Sequence, residues 1–517
     1  MTAEQLVIVA NRGPNDFVWQ EGRWVTRPAA GGLVSMLEPL ARQPDVRWFC
    51  CVSEPPDAEQ AREGLYTTAA DETDPDLHIV PVPLPARVYH AYYGLISNEV
   101  LWMLQHHLIG HGGYDGVDER RQRAWQEGYL VANAQLAAAI AAAGLAPRAF
   151  LVQDYHLYPL PALLRRHFPR TPVLHFTHIP FPGPPMLKLL PGGWRRTILT
   201  GLLGADVVGF QTPSDARAFL WCCEELLGLA VDERRGTVTA PDGRVVRARA
   251  FPASTDPRAL EATMLTPAVV AARARLALGE AGQTIIRVDR LDPSKNQIAG
   301  FRAFARLLEL RPELCGRLRF VAFLVPSRTD LGVYRAYRDA VYGVIDEINA
   351  RFAPACGAPP IVVHYTNDRE QALAAMADCD VLLVNSREDG MNLVAKEWAI
   401  VSRRPGALVV SETAGVAREV EGAALLVSPL DIEGTARALA QALAMPPAER
   451  GLRLARLRDR VRRWTAADWL GAQLDALGVT GRPLGERRDR VPAPPAVAPT
   501  GLEADLPRRV AVLPDVV

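Results

Sequence analysis

The chain has 517 residues, and its 58 lysines and arginines balance 58 aspartates and glutamates. That length accommodates two domains and a tail, while the charge balance argues against nucleic acid or an anionic membrane as partner. No apolar run is long enough to span a bilayer, and "MTAEQLVIVANRG" lacks a basic segment followed by an apolar core, so a cytoplasmic globular protein is expected.

The first apolar run ends in "NRGP", and "AAGGLV" follows shortly after it. Both suit close approach of backbone to a phosphate, with Arg12 supplying charge and Gly31-Gly32 supplying room, although most glycine pairs are simply turns. "YYGLISNEVLW" reads as a helix carrying Tyr93 and Trp102, an aromatic pair that suits a core as well as a sugar platform. "AFLVQDYH", "PVLHFTHIP" and "DVVGFQT" are further apolar strands with polar residues directly beyond them, which places Asp154, His156 and His178 at strand ends. Their spacing is not that of a zinc site, and no G-x-S-x-G marks a hydrolase nucleophile. Pro252, Asp256 and Pro257 in "ARAFPASTDPRALEATML" break the pattern and mark a junction at about residues 252–258.

A second series follows: "TIIRVDRLD", "RLRFVAFLVPS", "PIVVHYT", "DVLLVNS" and "ALVVSET". Continuous apolar strands between helical stretches predict parallel sheets covered on both faces, with ligands at the strands' carboxyl ends. Arg290 and Lys295 flank a turn at one such end; they suit a diphosphate or a surface charge cluster. Arg328 follows the next strand. In "SREDGMNLVAKEW", Gly390 precedes a helix whose free N–H groups and positive dipole suit an anion or sugar hydroxyls, and Glu397 suits vicinal ribose hydroxyls or a surface base. "RWTAADWLGAQLDALG" predicts one amphipathic helix with Trp464 and Trp469 available for packing. Beyond Gly481, the Pro-, Ala- and charge-rich sequence predicts a disordered tail. Four of the seven cysteines are adjacent pairs and none forms C-x-x-C, so neither a disulfide framework nor structural zinc is expected. G-x-G-x-x-G and Walker patterns are missing too.

Taken in order, "NRGP", "AAGGL", "YYGLISNEVLW", "QDYHL", "HIPFP", "GFQT", "RLDPSKN", "PSR" and "DGMNLVAKE" resemble the trehalose-6-phosphate synthase family over roughly residues 5–475. The resemblance implies a GT-B fold, with two Rossmann-like doubly wound α/β domains (1–252 for the acceptor, 258–463 for the nucleotide sugar) facing a cleft. A crossover helix at 464–480 and the tail at 481–517 complete the chain. It further implies retaining transfer of glucose from a UDP-, GDP- or ADP-glucose donor to glucose 6-phosphate, without metal or cofactor. Arg290, Lys295, Asp389 and His178 would carry the chemistry. Gly31, Gly32, Gly390, Leu393, Val394, Ala395, Lys396 and Glu397 would join them on the donor. Arg12, Tyr93, Trp102, Asp154, Ile179 and Arg328 would hold the acceptor. Homologues of this type often self-associate, so a homo-oligomer is among the arrangements implied. The chain departs from the family pattern at Pro185, at Pro293 and Asn296, in "PASTDP", and at Cys50-Cys51 where a tryptophan is expected. Those changes leave open another phosphorylated acceptor, such as glycerol 3-phosphate or an aminocyclitol phosphate, and a non-catalytic regulatory homologue.

Overall fold

Apolar residues with few interruptions build the two sheets of the computed structural model, which describes residues 4–479 apart from 30–31, 56–63, 66–67, 70–73, 75, 111 and 279–281. The expected tail therefore lies outside the described residues, as does Gly31. The first sheet contains β1 (Gln5–Ala10), β4 (Val46–Ser53), β5 (Ile79–Leu84), β6 (Pro147–Gln153), β7 (Val173–Phe176) and β8 (Val207–Phe210). A short hairpin, β2 (Asn15–Gln20) and β3 (Arg23–Pro28), stands apart from it. The sheet is extended by β11 (Val245–Ala250), β10 (Thr237–Thr239) and β9 (Val231–Asp232), giving the order β5-β4-β1-β6-β7-β8-β11-β10-β9. Only its last two pairings are antiparallel.

The second sheet is parallel throughout, in the order β14-β13-β12-β15-β16-β17. Its strands are β12 (Gln283–Arg290), β13 (Leu318–Val325), β14 (Ile361–Tyr365), β15 (Val381–Val384), β16 (Ala407–Ser411) and β17 (Leu425–Val427). Renumbered within each half, the six parallel strands that begin each series follow the doubly wound order 3-2-1-4-5-6. The strand order therefore reverses between β1 and β6 in one half and between β12 and β15 in the other. The segments leaving these four strands carry Arg12, Asp154, Arg290 with Lys295, and Asp389 with Gly390, respectively.

Two crossings connect the halves, and they are bonded to each other. Trp464 Nε1 donates to the Pro252 carbonyl at 2.7 Å, and the Ala466 amide donates to Thr255 at 3.0 Å. Helix Ala466–Leu477, capped by Thr465 and Asp468, returns to the first sheet, where buried Trp469 meets Phe176 edge-on at 5.3 Å. Trp464 thus precedes the helix it was expected to join. One continuous core includes residues from β1, from helix Leu393–Val401 and from this returning helix.

Cys315 and Cys356 form one disulfide, short of the framework that the cysteine spacing argued against. It joins the loop before β13 to the end of the long helix Gly332–Cys356. The spacing of 41 residues gave no signature of it, because only the fold brings these ends together.

Candidate active site

Lys295 and Asp389 meet where the second sheet's strand order reverses. Lys295 belongs to a short turn that Asp292 caps, and its ammonium lies 2.6 Å from Asp389 Oδ2. Ser386 Oγ at 3.1 Å and Asn392 Nδ2 at 3.0 Å donate to the same oxygen. Burial alone would raise this carboxyl, but Lys295 and the Asn392 amide hold it below its ordinary value. Asn392 adopts φ +82° and caps helix Leu393–Val401 by accepting from the Ala395 amide. No acidic residue occupies that helix's first turn, so its positive end stays open.

Gly390 brings the two halves into contact. A Cβ there would lie 2.1 Å from the His178 carbonyl oxygen and 3.1 Å from Ile179 Cα, so only glycine allows this approach. Gly32, which opens helix Gly32–Ala41, is also close, though to a side chain that can yield: a Cβ on it would stand 2.8 Å from Leu393 Cδ1. Two helix amino ends consequently converge beside the Lys295–Asp389 pair. His178 Nε2 lies 2.9 Å from Gln153 Oε1, and the ring packs near Trp469 at 6.0 Å. Burial, with His175 nearby, pushes the His178 imidazole down to about 3, so it is neutral at physiological pH.

Arg328, Trp102 and Arg290 form the adjoining wall. The Arg328 guanidinium sits 4.1 Å above the Trp102 ring and Arg290 lies 4.9 Å from it. Arg328 is buried, at φ +47°, and donates to Asp292 Oδ2 and Tyr334 Oη, each at 2.7 Å. Arg290 is exposed. Tyr93 stacks on His156 at 5.7 Å and 14°, while Trp102 touches the neighbouring Tyr155 at 5.9 Å. An α-helix would put residues nine apart on opposite faces. Here residues 90–101 wind in wide π-type turns, which spread the same nine residues over about two turns. Both rings therefore meet the Tyr155-His156 pair.

Asp154, at the carboxyl end of β6, holds φ +74° and accepts from the His178 amide at 3.1 Å. Burial raises its carboxyl to about 6, although Arg290 and Arg328 oppose the shift. Arg12 follows β1 on the open side of this group and pairs with Asp16. Trp48 Nε1 donates to the Arg12 carbonyl at 3.2 Å from behind. Cys50 and Cys51, both buried, stand where the family pattern leads one to expect a tryptophan; burial raises both thiols, so neither offers a thiolate.

The donor-side assignments divide on inspection. Glu397 is largely enclosed and pairs with Arg369 at 3.2 Å; burial raises its carboxyl despite that partner. Leu393 and Val394 are half-buried at the helix start, while the Ala395 amide is already taken by the Asn392 cap. Lys396 requires correction. Its buried ammonium turns away from the helix start, donating to the Ala253 carbonyl at 2.6 Å and to Glu419 at 2.9 Å. It therefore fastens the junction between the halves rather than facing the cleft. Sequence reasoning missed Asp292, Tyr155, Tyr334 and Gln153; Asp292 and Tyr155 meet Arg328, and Gln153 meets His178, only across long stretches of chain, and no spacing marks Tyr334 as the partner of Arg328.

Among the described residues, no cluster of three or more His, Cys, Asp or Glu side chains is arranged to hold a metal ion, and no helix is long and apolar enough to cross a membrane. Residues 4–478 match glycosyltransferase family 20. The chain belongs to that family. A trehalose-6-phosphate synthase of Mycobacterium sp. (strain KMS) is 35% identical over 488 residues, covering 92% of this chain and 95% of the relative. A Burkholderia xenovorans α,α-trehalose-phosphate synthase (UDP-forming), solved with glucose-6-phosphate, is 30% identical with a TM-score of 0.78, covering 92% of this chain and 100% of the other. An E. coli structure described as trehalose-6-phosphate bound with UDP-2-fluoro glucose is 29% identical with a TM-score of 0.78, covering 93% and 100%. These similarities, with the paired doubly wound sheets, give the protein the GT-B architecture.

Proposed function

We propose that the protein transfers glucose, with retention, from a nucleotide-glucose donor to glucose 6-phosphate, forming α,α-trehalose 6-phosphate and a nucleoside diphosphate. The observation that carries this reading is the Lys295–Asp389 pair set against the Gly390–His178 contact, where two helix amino ends converge. A donor diphosphate placed there meets Lys295, exposed Arg290 and backbone amides. As the glycosidic bond breaks, negative charge grows on the diphosphate and the sugar becomes oxocarbenium-like. Cations and dipoles already in place stabilise that charge without reorganisation. The Lys295 ammonium has three donors, so its bond to Asp389 leaves others for the ligand. Neutral His178, its ring fixed by Gln153, offers hydrogen bonding to sugar hydroxyls without adding charge. The acceptor hydroxyl attacks from the face the diphosphate leaves, and a diphosphate oxygen takes its proton. Arg12, Tyr93, Trp102, Asp154 and Arg328 surround the acceptor's position, with the two arginines countering its phosphate.

UDP-glucose is the first donor to test, because solved relatives are described as UDP-forming or hold UDP-2-fluoro glucose. The decisive experiment crosses UDP-, GDP- and ADP-glucose with glucose 6-phosphate, glycerol 3-phosphate and an aminocyclitol phosphate, reading products by mass spectrometry. The expected product is trehalose 6-phosphate with release of the matching diphosphate. A different glycosylated phosphate as main product would reassign the acceptor, and no product from any pair would overturn the enzymatic reading.

A further inference from the structure

Asp292 is fully buried and contributes no group to either proposed ligand directly, yet both of its carboxylate oxygens are engaged. Oδ1 accepts from the Ser294 amide at 2.9 Å, from Ser294 Oγ at 2.8 Å and from Trp102 Nε1 at 3.2 Å. Oδ2 accepts from Arg328 at 2.7 Å. Trp102 comes from the first half of the chain, 190 residues away from Asp292, whereas Arg328 follows β13 in the second.

We propose that Asp292 is the positioning residue of the acceptor-phosphate subsite, fixing Arg328 and Trp102 against each other across the cleft so that one guanidinium edge is presented to a phosphomonoester. This rests on the acceptor reading given above. A guanidinium as enclosed as that of Arg328 needs a counter-charge, because an unpaired buried cation is expelled or neutralised by rearrangement. Asp292 supplies that charge before any ligand arrives. Its bond occupies Arg328 NH1, which also serves Tyr334 Oη. Arg328 NH2 has a single long contact, 3.4 Å to Tyr155 Oη, and is the edge left for the ligand. Trp102, held by its own bond to the same carboxylate, then floors the guanidinium and stops it from swinging toward solvent. A carboxamide at this position keeps the shape and one acceptor but removes the charge and one acceptor oxygen.

Asp292 also caps the turn that carries Lys295, so a purely structural role has a different signature. Loss of the cap would disturb Lys295 and with it the donor, whereas loss of the clamp acts on the acceptor alone. Calorimetry on the full chain, with glucose 6-phosphate and UDP-glucose as separate probes, distinguishes the two. Asp292→Asn is expected to weaken glucose 6-phosphate binding at least tenfold and to leave the UDP-glucose Kd within about twofold. In steady state the acceptor KM rises while the donor KM holds. Trp102→Phe removes the indole donor and part of the ring beneath Arg328, should weaken the sugar phosphate about threefold while sparing UDP-glucose, and decides the matter if Asp292→Asn does not fold. Equal weakening of both ligands by Asp292→Asn, or no change in glucose 6-phosphate binding in either variant, overturns the clamp. A wild-type protein that binds glucose 6-phosphate but transfers nothing to it would instead overturn the proposed reaction, leaving the clamp to be judged from the binding data.

Discussion

The two faces of the cleft solve the problem of buried charge in opposite ways. On the donor face the central pair is saturated: Lys295 bonds Asp389, which also accepts from Ser386 and Asn392, while Arg290 is left exposed beside it. On the acceptor face Arg328 is paired with Asp292, but other buried polar groups beside it are left short of partners. Asp154 is raised to about 6, His156 is held well below its ordinary value with its Nε2 lacking a partner, and Gln153 Nε2 is likewise unbonded. A saturated face keeps its geometry as the leaving group gains charge, which is what transition-state stabilisation requires. An unsatisfied face gains most when a polar ligand arrives, because the ligand supplies hydrogen bonds the protein lacks.

Removing Lys295 should break the donor face most severely. Lys295→Ala leaves Asp389 buried without its cation and withdraws a positive charge from the departing diphosphate. Loss of one such preorganised group costs roughly 10²–10³ in kcat, and a coupled assay of nucleoside diphosphate release reads it. Near-normal turnover with an intact thermal transition would mean the diphosphate does not sit here.

Much of this face could be read from the sequence, and the reasons are physical. β1 and β15 are buried on both sides, so their residues are almost continuously apolar and their polar carboxyl-terminal extensions stand out, whereas β12 is interrupted by the buried Arg287–Asp289 pair. β5 escaped notice because Pro81 and Pro83 argue against a strand, and the structure tolerates them at the sheet's edge. The hairpin of β2 and β3 belongs to neither sheet and has no continuous apolar run to reveal it. Lys396 was misread because a motif gives order along the chain but not which way a helical side chain turns; burial against the junction fixes that. Asp292, Tyr155 and Tyr334 converge on Arg328 only through the fold. The wide turns of residues 90–101 likewise have no signature in a pattern of apolar spacing.

The acceptor face predicts a pH effect of intermediate size. Asp154 moves from 3.8 to about 6 through burial, so the folded protein holds that proton more tightly than the unfolded chain does. Its contribution therefore falls as pH rises from about 4 to about 6, and the loss is complete above that range. At full extent it is worth about 3 kcal/mol. Asp215 is also raised to about 6 by burial and adds a slope of the same sign, so the difference between variants is the measurement to make. Urea unfolding of the ligand-free protein at pH 4.5 and pH 7 should show a smaller loss of stability in Asp154→Asn than in the wild type. Parallel pH dependences in the two proteins would show that Asp154 is ionised throughout and that this face is better solvated than its burial indicates.

The smallest effect concerns Asn296, which occupies the place of a family glycine. Its φ of +58° explains why glycine suits this turn, and asparagine is among the few other residues that tolerate it. The side chain also does something glycine cannot: Nδ2 donates to the Asn385 carbonyl at 3.1 Å and to the Pro429 carbonyl at 2.7 Å. That amide ties the Lys295 turn to β15, the strand that leads to Asp389. Asn296→Gly relieves about 1 kcal/mol of backbone strain and deletes two hydrogen bonds worth about 1 kcal/mol each, so a net loss of about 1 kcal/mol is expected, visible as a drop of about one degree in Tm. Because Lys295 and Asp389 are held by each other, the donor KM should change by less than about threefold. A large rise in donor KM from this substitution would mean the donor face depends on the Asn296 tether after all, and would erase much of the contrast between the two sides of the cleft.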